Sequence, residues 1–287
     1  MTWLTVAKKD FRDAVQSRAL WALVVVFVIL SVLSTYAYAE APELFGEPGG
    51  ADFDGLLLFT AGFTGLFVPI AGIVVCYKSL AGERELGQIK LLLSMPTNRR
   101  AVFAGKVIGR SAVLIAGLGV GLLVGLAFGA ILLGGLPLLG AAGFVLATVV
   151  FAVVYASIFV GLSATTGSTS RATTLALGFF VVFELLWDIV PMGVVYVLEG
   201  FSPPAEFPDW VFLVAQLSPS GAYFSTVLAL VPGLSGDAEA APEAGGGVEA
   251  AGAEAFYVTP EVGLVALAFW FVVALVVGYR SFDRADL

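Results

Sequence analysis

Two acidic residues inside an apolar stretch have the type and spacing that chemistry within a membrane would need. Glu184 and Asp188 lie four residues apart, so on a helix their side chains share one face. A carboxylate in hydrocarbon is costly and must face protein or water, which makes a proton or cation relay one interpretation. The other is that both lie near the outer end of a span, solvated or hydrogen-bonded. We favour this second interpretation for Asp188, three residues before Pro191, and leave both open for Glu184.

A charged loop at residues 78–106 is the second candidate, because it contains six of the 14 Lys and Arg residues. Three charged residues at 83–85 precede an apolar stripe that Pro96 ends, and Thr97–Asn98 can cap the next helix. A short helix with charged ends suits the docking of a soluble partner. The alternative is a connecting loop that lipid headgroups stabilise.

Several kinds of chemistry are excluded by residues that the sequence lacks. It has no His, which removes His-based catalytic triads and zinc or haem sites with His ligands, and its single Cys76 cannot form an internal disulfide. Gly82 and Gly87 have the spacing of a phosphate-binding loop, but Gln88 and Ile89 replace the required Lys and Ser/Thr. We therefore expect no catalytic residue, metal or cofactor in this chain.

The composition requires a membrane around the protein. Of 287 residues, 59% are hydrophobic and 13% charged, whereas soluble domains have roughly 45–50% and 25%. Six apolar stretches reach the roughly 20 residues that a span needs, and they lack the alternation of barrel strands. The sequence predicts an all-α membrane protein with one six-helix domain over 19–287. Its predicted spans are about 19–39, 55–77, 107–133, 138–162, 172–198 (kinked or ended at Pro191) and 262–279.

The basic residues sort completely to one side of such a bundle. With six spans, all 14 Lys and Arg residues share the side of both termini, which predicts that this side is the cytoplasm. Most of the 22 acidic residues lie on the opposite side, and the net charge is −8. This acidic balance argues against nucleic-acid binding, which favours basic surfaces.

The first 18 residues predict an amphipathic helix at the cytoplasmic membrane surface. Trp3, Leu4, Ala7 and Phe11 recur at spacings of three and four residues, with charged residues on the other face. The alternative is a simple continuation of the first span.

A stripe of glycines in the third span predicts close helix packing. Gly117, Gly121, Gly125 and Gly129 recur every fourth residue and form a smooth face on which another backbone can lie. The packing partner is either a helix of the same bundle or a second copy at a dimer seam.

The stretch before the sixth span predicts an irregular outer segment. Residues 208–230 are apolar but interrupted at Ser218–Gly221, which predicts two short helices that form a re-entrant hairpin. An extra span is the alternative, but it would place Arg280 and Arg284 outside. Residues 233–255 are acidic and of low complexity, which predicts a disordered linker.

The loop sequence resembles the permease subunits of type-2 ABC transporters (the ABC-2 family). It is similar in particular to permeases associated with multicopper-enzyme maturation, of the nitrous-oxide-reductase accessory type. The overall layout and the short outer motif Leu217-Ser218-Pro219-x-x-Ala222-Tyr223 add to the resemblance. Within the loop, the residues that match the family are Glu83, Arg84, Glu85, Gly87, Lys90, the run Leu91 to Ser94, Pro96, Arg99 or Arg100, and Gly105-Lys106.

The resemblance implies a transmembrane half that works with a separate ATPase in a two-plus-two assembly. The segment from Glu83 to Pro96 would be the coupling helix, and the N-terminal helix would also touch the ATPase. ATP and magnesium would bind the ATPase, and spans one, two and five would line a pathway between paired permeases in the plasma membrane. Transport would be export by alternating access, and charge reversal of Glu83 and Glu85 would uncouple it from ATP hydrolysis.

Two other functions fit the same topology. An ion-coupled secondary transporter would use Glu184, work without an ATPase and fail on Glu184→Gln, but the two halves of the chain show no evident repeat. A membrane assembly factor would carry no flux at all.

Overall fold

The computed structural model describes residues 2–45, 51–89, 98–202, 208–234 and 261–285. All regular elements in these ranges are helices. In chain order they are α1 (Trp3–Val15), α2 (Arg18–Phe45), α3 (Phe53–Cys76), α4 (Ala81–Glu85), α5 (Arg99–Leu133), α6 (Leu138–Ala164), α7 (Thr169–Phe180), a π-helical turn (Val181–Leu186), α8 (Ile189–Leu198), α9 (Asp209–Leu217), α10 (Pro219–Leu230) and α11 (Glu261–Asp283).

Six helical segments in the described ranges are long and apolar enough to cross a membrane, which confirms the predicted all-α membrane fold. α6 lies at the centre, since 67% of its most apolar 18-residue window is buried within the protein. Its fully buried aromatic residues Phe144, Phe151, Tyr155 and Phe159 pack against α3, α5, α10 and α11. The fifth segment is peripheral, because only 11% of its window is buried.

The third span begins eight residues before the predicted start. The Asn98 side chain accepts a hydrogen bond from the Ala101 N–H at 2.7 Å and caps α5 at Arg99. The helix therefore starts within the polar part of the loop, where hydropathy alone gives no signal. α5 places Lys106 and Arg110 on its first turns, within reach of α1 and α4.

The fifth span is broken rather than continuous over 172–198. α7 passes into the π-helical turn, and α8 begins only after Trp187 and Asp188. Pro191 lacks the N–H that would bond the Trp187 carbonyl, which accepts from the Val190 N–H instead. The break thus precedes the proline by a turn.

The predicted hairpin forms two helices that meet at 105°. Ser218 is extended between them, and its hydroxyl accepts from the Gly221 N–H to start α10. Pro219 occupies the first turn of α10, where its missing N–H costs nothing. Of the predicted linker 233–255, only Gly233 and Leu234 lie in the described ranges.

Candidate coupling and pathway sites

The start of the charged loop is held against the end of α6 by one serine. The Ser163 hydroxyl accepts hydrogen bonds from the Leu80 and Ala81 N–H groups at 3.2 and 3.0 Å and donates to the Tyr77 carbonyl at 2.8 Å. Leu80 and Ala81 are fully buried. The loop therefore leaves α3 in a fixed direction. Lys90 and Pro96 of the predicted loop motif lie outside the described residues.

Glu83 points inward, into a group of four charged side chains that we call the ion cluster (Asp10, Glu83, Lys106 and Arg110). The Lys106 Nζ lies 2.7 Å from Asp10 Oδ1 and 2.5 Å from Glu83 Oε1. The Arg110 Nη2 donates to Asp10 Oδ1 at 3.0 Å, and the Arg110 Nε lies 2.8 Å from Asp10 Oδ2. The cluster joins α1, α4 and α5 at one point.

Because the ion cluster is buried, each of its charges needs a partner of opposite charge. Asp10 and Lys106 are each only 4% exposed. Two acids and two bases balance to no net charge, and the Arg110 Nη1 also donates to the Val75 carbonyl at 2.9 Å. A buried ion pair adds little net stability when complete, but losing one partner strands a charge away from water. Separation of α1, α4 and α5 would therefore leave buried charges without partners and destabilise the protein.

Arg84 and Glu85 contact the turn that joins α6 to α7. The Arg84 Nη1 donates to the Ala164 carbonyl at 3.1 Å, at the end of α6. The Thr169 N–H, at the start of α7, donates to Glu85 Oε2 at 2.9 Å. These contacts match the helix ends, whose carbonyls favour cations and whose N–H groups favour carboxylates. Gly87 follows with φ of +68°, a left-handed conformation that suits glycine.

Arg99 and Arg100 bind the last turn of α11. The Arg99 Nη1 donates to the carbonyls of Phe282, Asp283 and Ala285 at 2.5–3.0 Å, which caps the helix end. The Arg100 Nε donates to the Tyr279 hydroxyl at 3.1 Å. The end of the loop is thereby connected to the sixth span, as its start is connected to the fourth and fifth.

The glycine stripe of α5 faces α2 of the same chain. A Cβ at Gly121 would lie 2.7 Å from the Phe27 ring, and one at Gly125 would lie 2.2 Å from the Ser31 hydroxyl. Gly117 meets Leu20 in the same way, and Gly129 meets Leu56 of α3. Gly105 and Gly109 extend the same face to α1. Of the two partners that the sequence left open, the geometry places a helix of the same bundle here.

Glu184 lies on the π-helical turn, and Asp188 just after it. The buried Tyr155 hydroxyl donates to Glu184 Oε1, and the Ser220 side chain of α10 also hydrogen-bonds this carboxyl group. Asp188 is exposed at the surface of the chain. π-helical turns are rare and often mark functional sites. Here the turn brings a carboxyl group of the fifth span against both the central helix and the hairpin.

Two tryptophans that the sequence did not single out hold the bend of the hairpin (residues 214–221, the elbow). The Trp187 Nε1 donates to the Val214 carbonyl at 2.7 Å, and the Trp270 Nε1 donates to the Leu217 carbonyl at 2.8 Å. Both carbonyls end α9, where no following turn supplies a donor. A tryptophan near a helix break was the available signal, but a sequence does not show which carbonyl its indole reaches.

We expect Trp270→Phe to loosen the elbow. Phenylalanine keeps most of the ring volume but leaves the exposed Leu217 carbonyl without its indole donor, a loss of about 0.5–1.5 kcal/mol. Amide hydrogen exchange at residues 214–221 should accelerate in purified protein, while exchange in α5 stays unchanged. Trp21→Phe is the control, because the Trp21 indole donates to Val15 at the other end of the bundle. Equal exchange at the elbow in wild type and Trp270→Phe would contradict this role.

A shallow hollow that is open to the surface lies between α2 and α3. Phenylalanines and leucines line it, and its polar groups are four hydroxyls of Ser31, Ser34, Thr60 and Thr64. The Ser34 hydroxyl donates to the Ser31 carbonyl at 3.0 Å, so part of this polarity is satisfied within α2. Hydroxyls among aromatic rings offer an uncharged surface that can hydrogen-bond a passing molecule.

Comparison with known proteins shows the family of the chain. The family model described as "ABC-2 family transporter protein" matches residues 4–287. A protein of Stutzerimonas stutzeri named "Probable ABC transporter permease protein NosY" is 27% identical over 97% of this chain and 97% of its own length. A protein of the same name from Pseudomonas aeruginosa is 29% identical over 99% of this chain and 98% of its own length. The chain belongs to the ABC-2 family of transporter proteins, as a multi-pass membrane permease subunit of an ABC transporter.

Proposed function

We propose that this permease exports its substrate across the plasma membrane, as one of two paired permease subunits driven by two separate ATPase subunits. Membership of the family implies an ATPase partner. ATP and magnesium would bind there, since no G-x-x-x-x-G segment of this chain is followed by the Lys and Ser/Thr of a P-loop. The basic face, with both termini, would be cytoplasmic.

The polar contacts between the charged loop and the surrounding helices are the observation that supports the coupling proposal. Glu83 contacts α1 and α5 through the ion cluster, Arg84 and Glu85 contact α6 and α7, and Arg99 contacts α11. A push on this loop by an ATPase would therefore reach five helices through short polar contacts. Packed and hydrogen-bonded elements transmit such a displacement as rigid bodies.

The pathway would run between the two permease copies, along the hollow and the exposed side of the fifth span. Asp188, which is exposed on this span, makes this side unsuited to lipid, because a carboxyl group facing hydrocarbon is costly. The hydroxyls of the hollow on α2 and α3 would face the same space. This placement agrees with the pathway of spans one, two and five that the family resemblance implies.

The elbow would form the outer gate. Trp187, Trp270 and Ser220 connect it to the fifth and sixth spans, so rocking of those spans would pull on the hairpin directly. ATP-driven closure at the cytoplasmic end would thus open the outer end, which is alternating access in the export direction.

The coupling proposal is tested by comparing Glu83→Gln with Glu85→Gln. The chain is reconstituted in liposomes with its partner ATPase, and ATP hydrolysis is measured with and without the permease. We expect Glu83→Gln to abolish most of the stimulation, because the buried Lys106 loses one of its two carboxylate partners. Glu85 is exposed, and its hydrogen bonds go to Thr169 alone among the described residues, so Glu85→Gln should cost less than about threefold. Equal stimulation by wild type and Glu83→Gln would contradict the proposal.

Glu184 separates this proposal from an ion-coupled transporter. We assign its carboxyl group to anchoring Tyr155 and Ser220, and Gln can still accept both bonds. We therefore expect Glu184→Gln to retain more than half of ATP-dependent flux, whereas Glu184→Leu, which can accept neither bond, should lose most of it. ATP-independent flux that Glu184→Gln abolishes would favour the ion-coupled alternative, and absence of any flux in the wild type would favour an assembly factor.

A further inference from the structure

Three buried hydroxyl groups form a hydrogen-bonded chain between the hairpin and two spans. The Tyr223 hydroxyl of α10 lies 3.0 Å from Thr148 Oγ1 of α6. Thr64 of α3 also hydrogen-bonds the Tyr223 side chain. All three residues are only 1–2% exposed, so water does not replace a bond that one of them loses. The chain of hydroxyls therefore joins α3, α10 and α6 inside the protein.

The hydrogen bonds of this chain all run in one direction. The Thr148 hydroxyl donates its single proton to the Phe144 carbonyl at 2.9 Å, so it can only accept from Tyr223. Tyr223 then donates to Thr148, and its oxygen accepts the proton of Thr64. Removal of the Thr64 hydroxyl would therefore take one bond from Tyr223 and leave the bond to Thr148 in place.

The position of the Tyr223 hydroxyl follows the position of α10. The Tyr223 ring stacks on Phe151 of α6, with the ring centroids 4.3 Å apart and the ring planes at 15°. A ring held in this way cannot turn to follow Thr64 on its own. A displacement of α10 away from α3 would therefore break the bond to Thr64, and the intact bond stabilises α10 where it lies.

Thr64 also belongs to the wall of the hollow between α2 and α3. A molecule in the hollow that carries a hydrogen-bond acceptor would compete with Tyr223 for the Thr64 proton. The side chains that line the hollow carry no charge, so a charged group would enter it without a counterion and at a high cost. The competing group is therefore an uncharged acceptor, such as a carbonyl oxygen.

We infer that Thr64 connects the hollow to the outer gate. Its bond to Tyr223 holds α10 closed, and an uncharged hydrogen-bond acceptor in the hollow releases α10 by taking this bond. The inference rests on the proposed function, which places the pathway along the hollow and the outer gate at the elbow, where α10 begins. Thr64 is a positioning residue, since it acts on the gate through Tyr223.

Amide hydrogen exchange of the purified permease in nanodiscs tests this connection in Thr64→Val, which keeps the shape of the side chain and lacks the hydroxyl. We expect exchange in α10 to accelerate about two- to tenfold, as loss of one hydrogen bond does for a local opening, while exchange in α5 stays unchanged. Thr64→Ser keeps a hydroxyl and should exchange like the wild type. Thr60→Val is the matched control, because Thr60 lines the same hollow and no described hydrogen bond joins it to α10.

Two probes of nearly equal shape test the release of α10. Acetophenone has a carbonyl acceptor and no donor, and ethylbenzene has neither. At equal concentration in the bilayer, acetophenone should accelerate exchange in α10 of the wild type, and ethylbenzene should not. Acetophenone should add nothing in Thr64→Val, where α10 is already released. A general effect of ring compounds on the bilayer would be the same for both probes.

Three results would overturn the inference. Equal exchange in α10 of Thr64→Val, Thr60→Val and the wild type would show that the bond does not hold α10. Faster exchange throughout Thr64→Val, with a lower melting temperature, would make Thr64 a purely structural residue. Equal effects of the two probes on the wild type would show that the hollow does not act on α10. These measurements use the permease alone, so a permease that fails to stimulate its ATPase contradicts the proposed function separately.

Discussion

Asp10→Ala should destabilise the permease by about 3–5 kcal/mol, the range found when one partner of a buried ion pair is removed. Asp10 is 4% exposed and contacts both Lys106 and Arg110. Its loss leaves Lys106 with one carboxylate and Arg110 with none among its described contacts. Thermal melting in detergent should fall, and stimulation of the ATPase should be lost, because α1 no longer moves with α5.

Two further variants separate charge from general damage to α1. Asp10→Asn keeps the shape of the side chain and should lose a large share of the same stability, since it removes the charge and replaces one acceptor oxygen by an NH2 donor. Asp13→Ala removes an exposed acid three residues away and should stay within about 0.5 kcal/mol of the wild type. Equal melting temperatures for Asp10→Ala and Asp13→Ala would contradict the role of the ion cluster.

Gly121→Leu is expected to have the second largest effect, because it separates α2 from α5. A Cβ at Gly121 would lie 3.0 Å from the backbone carbonyl carbon of Phe27, so rotation of the Phe27 ring cannot relieve the clash. Overpacking of this kind costs about 1–3 kcal/mol, and the larger leucine side chain favours the upper end. Lower yield of folded protein and a lower melting temperature should follow.

Gly119→Leu is the matched control on the same helix. No atom lies within 4 Å of a Cβ built at Gly119, so the substitution has room and even improves helix propensity. We expect its melting temperature to equal or exceed that of the wild type. If Gly119→Leu and Gly121→Leu behave alike, close packing of the stripe against α2 does not explain the result.

The spans could be predicted because hydropathy and charge report directly on the membrane. Six apolar stretches became six spanning helices, and the interruption at Ser218–Gly221 became the bend between α9 and α10. The break in the fifth span was harder to place. Pro191 indicated an irregularity, but the π-helical turn before it depends on packing against α6 and α10, which a single sequence does not show.

The contacts of the charged loop could not be predicted, because their partners lie far away in sequence. The resemblance singled out Glu83, Arg84 and Glu85, but Ser163, Thr169 and Lys106 became partners only through the fold. The position of Asp10 in the sequence could have predicted a buried ion pair. It falls three residues after Ala7 and four before Ala14, on the apolar face of α1, where an acid requires a buried cation. Lys106 and Arg110, four residues apart, supply it.

ATP hydrolysis in reconstituted liposomes tests the central claim most directly. The partner ATPase is measured alone, with the wild-type permease and with Asp10→Ala. We predict a stable complex whose hydrolysis rises several-fold with the wild type and returns to the level of the ATPase alone with Asp10→Ala. A wild-type permease that neither binds the ATPase nor changes its rate of hydrolysis would contradict the account.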